Sequence, residues 1–547
     1  MKKVRKKVES TQKKQKITGG ATPRARYPPG NKPHISPYDI NECLSLPFDA
    51  LAMDRFFTFA HTFLLLSVAL ALAFSACRKD EAIEDNPSAM LEFSTDSIVF
   101  DTVFTTVGSV TKYLKVYNNN AKKINISSAR LAGGGDSFYR INIDGNPSIY
   151  ETNIGIPSGD SIFVFIRVTI DPNSNLTPFV VTDRLIFETN TNIQDVDLVS
   201  WGQNANYIIA DQHIEGLPPF RIVAGTNSDT TWTNELPFLI YGYAVIDSGA
   251  RLTISAGTRI YFHNNSGLWV YRGGQLKVMG TAGEPVLFRG DRLEDFYDDI
   301  PGQWDRIWIN EGSTGNEIHY AVIKNGFIGL QTETLGLQQP LENHLLLTNT
   351  IIENMSGAGI LSRFYNITGI NTVVANCGEY GVALTRGGKY DFRQCTFANY
   401  WSGSVRQTQN LILTNSFRDQ DNNLYVFEMD AYFGNCINYG NQEEELYLSV
   451  VSGAPFHYVF DHCLLKTDST ELNPVSFPGT FKNEDPLFAG IEQNDYHPDT
   501  LSPVIGAGSP DVINTSPYLN ILQYDLDGNS RSGNPDLGAY EFVPNGL

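Results

Sequence analysis

Apolar and polar residues alternate in three different rhythms along the chain. From Phe63 to Phe74 the run is almost uninterrupted, 12 residues in all. A membrane-crossing helix needs about 20 apolar residues, so this run is too short to span and matches the apolar stretch of a secretory signal. Further on the period becomes two, in Ile98-Val99-Phe100, Tyr113-Leu114-Lys115-Val116-Tyr117, Ile162-Phe163-Val164-Phe165-Ile166-Arg167-Val168 and Leu185-Ile186-Phe187. Turn clusters separate these stretches: Asn118-Asn119-Asn120, Gly133-Gly134-Gly135 and Asp171-Pro172-Asn173. Short strands with turn signals and no helical period predict a β-sandwich over residues 89–205.

From residue 206 to 480 the third rhythm is a repeat. The apolar pairs Leu252/Ile254, Ile260/Phe262, Leu268/Val270 and Leu276/Val278 recur every eight residues. Ser248 to Ile254 aligns with Arg272 to Val278 at an offset of 24, and Ile260-Tyr261-Phe262 with Val286-Leu287-Phe288 at 26. Three short strands per 24 residues predict one turn of a parallel β-coil. Five later segments begin at Ala321, Thr350, Thr372, Cys395 and Cys463, with Ile323, Ile352, Val374, Phe397 and Leu465 in third place. Both positions should face inward; a further segment from Cys436 fits except that Asn438 stands third. Four segments end in Asn325, Asn354, Asn376 and Asn399, where stacked amides can satisfy turn backbone. Gly329, Gly359, Gly381 and Gly403 follow and are expected to supply positive φ. This region resembles right-handed parallel β-helix proteins of the pectate-lyase-like superfamily, and residues 89–205 resemble bacterial immunoglobulin-like modules.

The tail, residues 481–547, contains Glu484-Asp485-Pro486, a stretch from Ser502 to Pro510, Asp525 to Arg531, and Asp536-Leu537-Gly538-Ala539-Tyr540-Glu541-Phe542. It resembles the C-terminal segment of bacterial surface β-helices. The resemblance implies a cap over the open end, where strand edges would otherwise be unpaired. The expected fold class is all-β: an immunoglobulin-like β-sandwich followed by a right-handed parallel β-helix with a C-terminal cap.

Charge divides the 547 residues further. The formal net charge is −20, which disfavours nucleic acid as a partner, since phosphate binding needs a basic face. Residues 1–52 run the other way, with eleven Lys/Arg against four acids. This basic leader has no apolar periodicity, and we expect translation to begin at Met53. Phe74-Ser75-Ala76-Cys77 resembles a lipobox, and Arg78-Lys79-Asp80-Glu81 resembles the surface-export signal of Bacteroidota-type lipoproteins. The resemblance implies a signal peptide over 53–77, a lipidated Cys77, a tether over 78–88, and an outward-facing anchor on the outer membrane at the cell surface. Without residues 1–76, 28 basic and 55 acidic residues remain, a net of −27. Such a protein should avoid anionic polymers unless cations bridge them. Six cysteines are too few for a disulfide scaffold; Cys395, Cys436 and Cys463 share one repeat position and should stack inside the coil. Cys377 falls at a turn.

Candidate chemistry is sparse. The polygalacturonase-like set of acids, His and basic residues on successive coils is absent in that order, and His319, His344, His457 and His462 are scattered. The insertion from Asp291 to Trp304 combines acids with aromatics, so Asp295, Phe296, Tyr297, Asp298, Asp299 and Trp304 form a candidate glycan site; the preferred reading is a solvated insertion loop whose Trp304 caps a neighbouring coil. Glu443-Glu444-Glu445 reads as a solvated charge cluster. Asp525, Asp527 and Asn529 have the oxygen-rich spacing of a calcium loop, but Asp536 stands where its twelfth-position Glu belongs. A tight turn with an Arg531–carboxylate pair is the preferred reading, with no cofactor. The expected function is a non-catalytic surface lipoprotein binding extracellular polysaccharide or a surface protein. The alternative is a polysaccharide lyase or glycoside hydrolase.

Overall fold

The computed structural model describes residues 82–334, 336, 344–469 and 471–544. The basic leader, the signal peptide, Cys77 and the first tether residues lie outside the described residues. All that follows belongs to the compact unit Glu81–Leu547.

Two five-stranded sheets come first. One orders Glu92–Phe93, Lys112–Tyr117, Ser161–Val168, Tyr139–Ile143 and Asn146–Pro147; the other orders Ser97–Phe104, Asn192–Gln203, Phe179–Thr189, Ile124–Leu131 and Tyr150–Ile156. All pairings are antiparallel except Ser97–Phe104 with Asn192–Gln203. The period-two pattern explains the packing. In Ser161–Val168 every second side chain is buried, and Leu114, Val164 and Ile166 of one sheet share a core with Phe100, Leu185 and Leu198 of the other. Tyr139 sits in this core; its hydroxyl donates to Val181 O and meets the Ser200 hydroxyl, each at 3.0 Å. Burial raises its pKa to about 12.

The remainder is dominated by parallel strands in three columns. An eleven-stranded sheet, starting with Asn206–Ile209, Phe238–Tyr241 and Arg259–Phe262, forms the first column. The second contains Phe220–Ala224, Tyr243–Ile246, Gly267–Val270 and Trp304–Asn310; the third contains Asp229–Trp232, Arg251–Ser255, Gln275–Met279 and Asn316–His319. The last two columns join into one sixteen-stranded sheet because Ala358–Ile370 and Tyr380–Arg393 each run through both. The chain visits the three columns in turn and returns one strand further on, a winding compatible with a parallel β-helix. In the first column Phe238, Ile260, Phe288, Ile323, Ile352, Val374 and Phe397 stack in register toward the core. The strands from Ala321 to Cys463 keep the expected register, so Cys395, Cys436 and Cys463 are buried one above another. Burial raises the thiol pKa of Cys395 and Cys463 well above the ordinary value. Cys377, also buried, has its thiol raised to about 12.

Three expectations need correction. Ile260 pairs with Phe288, not Val286. The shift is two residues, which leaves the inward face unchanged because side chains alternate with period two, and residues 280–285 absorb it. Second, none of Gly329, Gly359, Gly381 and Gly403 has positive φ. A Cβ on Gly329 would lie 2.5 Å from Ile352 and one on Gly359 2.3 Å from Val374, so at those two positions glycine provides room for a close neighbour. Third, Glu445 is buried, and Glu444 accepts from the backbone of Leu446 and Asp468. Of the three only Glu443 is exposed, so they do not form a solvated cluster together.

The tail covers the last strand edge and more: its Phe481–Lys482 pairs with Leu464–Leu465 as the final strand of the first column. Tyr496, Leu526, Ala539 and Tyr540 pack against Val373, Ala375 and Ala398 on the outer side of the first column. Val504 and Leu537 pack against Ile437, Tyr439 and Leu464, and Ile513 and Leu522 against Ile370. The segment therefore lies along the flank of several turns. Flanking apolar residues such as Val373 and Ala398 need cover as much as an open end does. At the end itself, Phe477 stacks on Phe460 with ring centroids 5.5 Å apart. At the start, Phe104 and Thr105 of the second five-stranded sheet meet Tyr261 and Tyr207 of the first column.

Candidate ligand-binding face

The six residues of the 291–304 candidate site separate. Trp304 is 1% exposed. It stacks on Phe262 with centroids 4.4 Å apart and donates its indole N–H to Lys324 O at 2.8 Å, so it is core and no ligand can stack on it. The reason is its register, next to Gly326, whose absent Cβ makes room for the ring. Asp298 is held by Arg289 and, at 3.3 Å, by Lys324. Desolvation acts to raise its pKa, but these two cations outweigh it and hold the carboxyl below the ordinary range. Asp295, Phe296 and Tyr297 form one 3₁₀ turn. Tyr297 lies under the Arg292 guanidinium, 4.3 Å from the ring centre, while Phe296 is 75% exposed and Asp295, Asp298 and Asp299 are exposed beside it. The Asp299 carbonyl accepts from the Asn354 amide at 3.3 Å.

The asparagines form a partial ladder. Asn354 donates to Asn325 Oδ1 at 3.3 Å. Asn376 turns to Asn494 in the tail, and Asn399 bonds the Cys377 backbone one turn back, N–H to Oδ1 at 3.1 Å and amide to O at 3.0 Å. A second column lies one residue before the inward segments: Tyr320, Asn349, Asn371, Gln394, Asn435 and His462 all have positive φ. Asn371 donates to Asn349 Oδ1 at 2.9 Å and to Tyr524 O at 2.8 Å. Asn349, Asn371 and Asn435 directly precede Thr350, Thr372 and Cys436, which is the signal that could have revealed this column.

Asp525, Asp527 and Asn529 do not converge on one point. Asp525 accepts from the backbone of Asp527, Asn529 and Glu541, whereas Asp527 turns to His497 Nε2 at 2.8 Å. Arg531 is fully buried, paired with Glu541 and bonded at 3.2 Å to Asn371 Oδ1, Gly538 O and Ala539 O.

The face that does gather chemistry is the outer side of the second column. Trp269 and Trp308 are register neighbours and stack with centroids 4.8 Å apart and planes 12° from parallel. They occupy outward positions between the inward pairs Leu268/Val270 and Ile307/Ile309. Outward positions are ordinarily polar, so a Trp at two of them was a readable signal that periodicity counting passed over. Phe220, Tyr243 and Val245 extend the apolar patch. Glu333 accepts from Trp308 Nε1, Gln331 Nε2 and Arg363 Nη1, each at 3.0 Å. Arg306 bonds Gln331 and Asp305, and Tyr243 donates to Asp305. Burial, then the Asp305 charge, raises the Tyr243 pKa.

Next along this face, Phe364 and Arg386 hold φ of 55° and 62°, a region that side-chain-bearing residues occupy at a cost of about 1–3 kcal/mol. Arg386 lies 4.0 Å over Phe417, whose hairpin, Ser416–Arg418 with Leu424–Val426, stands beside it. Burial and the neighbouring Arg363 both lower the Arg386 pKa. Stacked aromatic rings flanked by Arg, Gln and Glu can take the apolar face of a ring while bonding its hydroxyls.

Compared with known protein families and with curated proteins, the chain matches none. Among solved structures it is similar to the ASH/PapD-like domain of human CEP192 (12% identity, 22% of this chain and 90% of that one, TM-score 0.16). It is also similar to a family 123 glycoside hydrolase from Clostridium perfringens (9% identity, 25% of this chain and 26% of that one, TM-score 0.16). The match spans about a quarter of that enzyme.

Proposed function

We propose that this chain is a cell-surface lipoprotein, anchored to the outer membrane through Cys77. In this reading an immunoglobulin-like sandwich carries a right-handed parallel β-helix of the pectate-lyase-like kind. The helix binds extracellular glycan on the outer face of its second column, without cleaving it. The observation that carries the reading is the outward Trp269–Trp308 stack, ringed by Arg306, Gln331, Glu333 and Arg363. Trp308 and Arg363 remain partly exposed, so a sugar ring can reach both.

The test is glycan-array binding by the full chain. Binding to at least one polysaccharide is expected, with a loss of tenfold or more in Trp308→Ala and Arg363→Ala, both measured well below their melting temperatures. Release of unsaturated or reducing sugars from a bound polysaccharide would overturn the non-catalytic part. For the anchor, labelling with a fatty-acid probe is expected in the parent chain and absent in Cys77→Ala.

A further inference from the structure

The outer face of the first five-stranded sheet has no role in that reading. Along Lys112–Tyr117 the outward residues are Tyr113, Lys115 and Tyr117; along Ser161–Val168 they are Phe163, Phe165 and Arg167. Register places Tyr113 opposite Phe165, Lys115 opposite Phe163, and Arg140 directly opposite Arg167. Tyr113 is 60% exposed and Phe163 and Phe165 are each 42% exposed. The rings run on: Tyr113 to Phe163 is 5.7 Å and Phe163 to Phe165 is 6.1 Å with planes 14° apart.

Cross-strand aromatic pairs do stabilise sheets, by roughly 0.2–1 kcal/mol each, but like charges placed directly opposite destabilise them. Arg140 facing Arg167 therefore opposes this pairing, while the Arg140 Nη1 donates to Ser137 O at 2.5 Å and Tyr139 O at 2.7 Å. Among the described residues no carboxylate lies within 4.0 Å of Lys115, Arg140 or Arg167, which is the distance that defines the ion pairs elsewhere. Lys115 instead sits over the Tyr117 and Phe163 rings at 4.9 and 5.6 Å. The chain after residue 76 carries 55 acids against 28 bases, so three unneutralised cations on one aromatic strip are an exception to its surface.

We propose that this face is a second binding site, for a glycan chain bearing carboxylate or sulfate groups. Sugar-ring faces stack on Tyr113, Phe163 and Phe165, and an anionic substituent bridges Arg140 and Arg167, removing their repulsion. A sparsely charged sugar chain suits the strip better than nucleic acid does. Nucleic acid carries a phosphate at every residue and would be repelled by the acidic remainder.

The experiment is calorimetric titration of the full chain with a hyaluronan hexasaccharide, which carries a carboxylate on every second sugar, an uncharged chitin hexasaccharide and a dT oligonucleotide. The expected result is binding of hyaluronan that weakens with salt. Phe163→Ser/Phe165→Ser should cost tenfold or more. Arg140→Gln/Arg167→Gln should cost at least fivefold and flatten the salt dependence. Any of four results overturns the proposal: equal affinity in parent and variants, tighter binding of the oligonucleotide or of uncharged chitin, loss in Trp308→Ala rather than in the phenylalanine variant, or a parent dimer that the phenylalanine variant converts to monomer.

Discussion

Arg406 and Glu445 are both fully buried and pair through two guanidinium nitrogens, Nη1 to Oε2 at 2.8 Å and Nη2 to Oε1. Glu445 also accepts from Asn410 N at 3.0 Å and Gln442 N at 2.9 Å, and its carbonyl accepts from Asn438 at 2.9 Å. Asn438 in turn accepts from Asn410 at 2.9 Å. The network explains how an asparagine occupies an inward position otherwise filled by Phe397 and Leu465. Removing one member of a buried pair leaves the other charge uncompensated, at about 3–5 kcal/mol. Glu445→Leu should lose that much in urea unfolding, and Arg406→Met/Glu445→Leu less than the sum of the two single changes. Additive losses would show that the pair is not coupled.

The turns between strands depend on the column of positive-φ residues from Tyr320 to His462. A side-chain-bearing residue in this conformation costs roughly 1–2 kcal/mol, less for asparagine because its side chain bonds locally. Asn371 offsets that cost through Asn349, Tyr524 and Arg531, so one residue joins two turns and the tail. Asn371→Ala should destabilise by about 2–4 kcal/mol, combining backbone cost with unpaired buried groups. Asn371→Gly, free of the backbone cost, should recover about half. Between these turns the buried thiols of Cys377, Cys395, Cys436 and Cys463 have no route to solvent. A thiol reagent should leave all four unmodified in the native protein and modify them only as denaturant unfolds the columns.

Across the molecule the tail acts as a strap. Its His497 bonds Asp495 Oδ1 at 2.6 Å and Asp527 Oδ2 at 2.8 Å, under the Tyr540 ring 3.9 Å away. Burial alone would lower the His497 pKa, but hydrogen bonds and charge from Asp527 and Asp495 outweigh it and raise the value above 6.5. A raised folded pKa means the contribution is complete below about pH 6.5, the unfolded value, and is lost as pH rises through the folded value. Hydrogen exchange in residues 495–544 should therefore quicken on going from pH 6 to pH 8 beyond the intrinsic rate change. His497→Gln should remove that excess; an identical pH response in the variant would refute the role.

Strand rhythm, the three-column repeat and the inward stack from Ala321 to Cys463 could all be read from the order of residues. They follow from local alternation and from apolar side chains that must face inward, and a strand slip of two at Val286 leaves that reading intact. Binding faces and the path of the tail were not legible. Trp269 and Trp308 are 39 positions apart, Arg406 and Glu445 39, Asn371 and Arg531 160, and such pairs exist only once turns of unequal length have stacked. Trp304 shows the same limit in reverse. Its acidic, aromatic insertion offered both a ligand-stacking ring and a ring packed on a neighbouring coil, and the empty space beside Gly326 decided for the core. Local order is set by neighbours along the chain; the chemistry of each face is set by which turn lies above which, and that depends on the lengths and packing of the loops between.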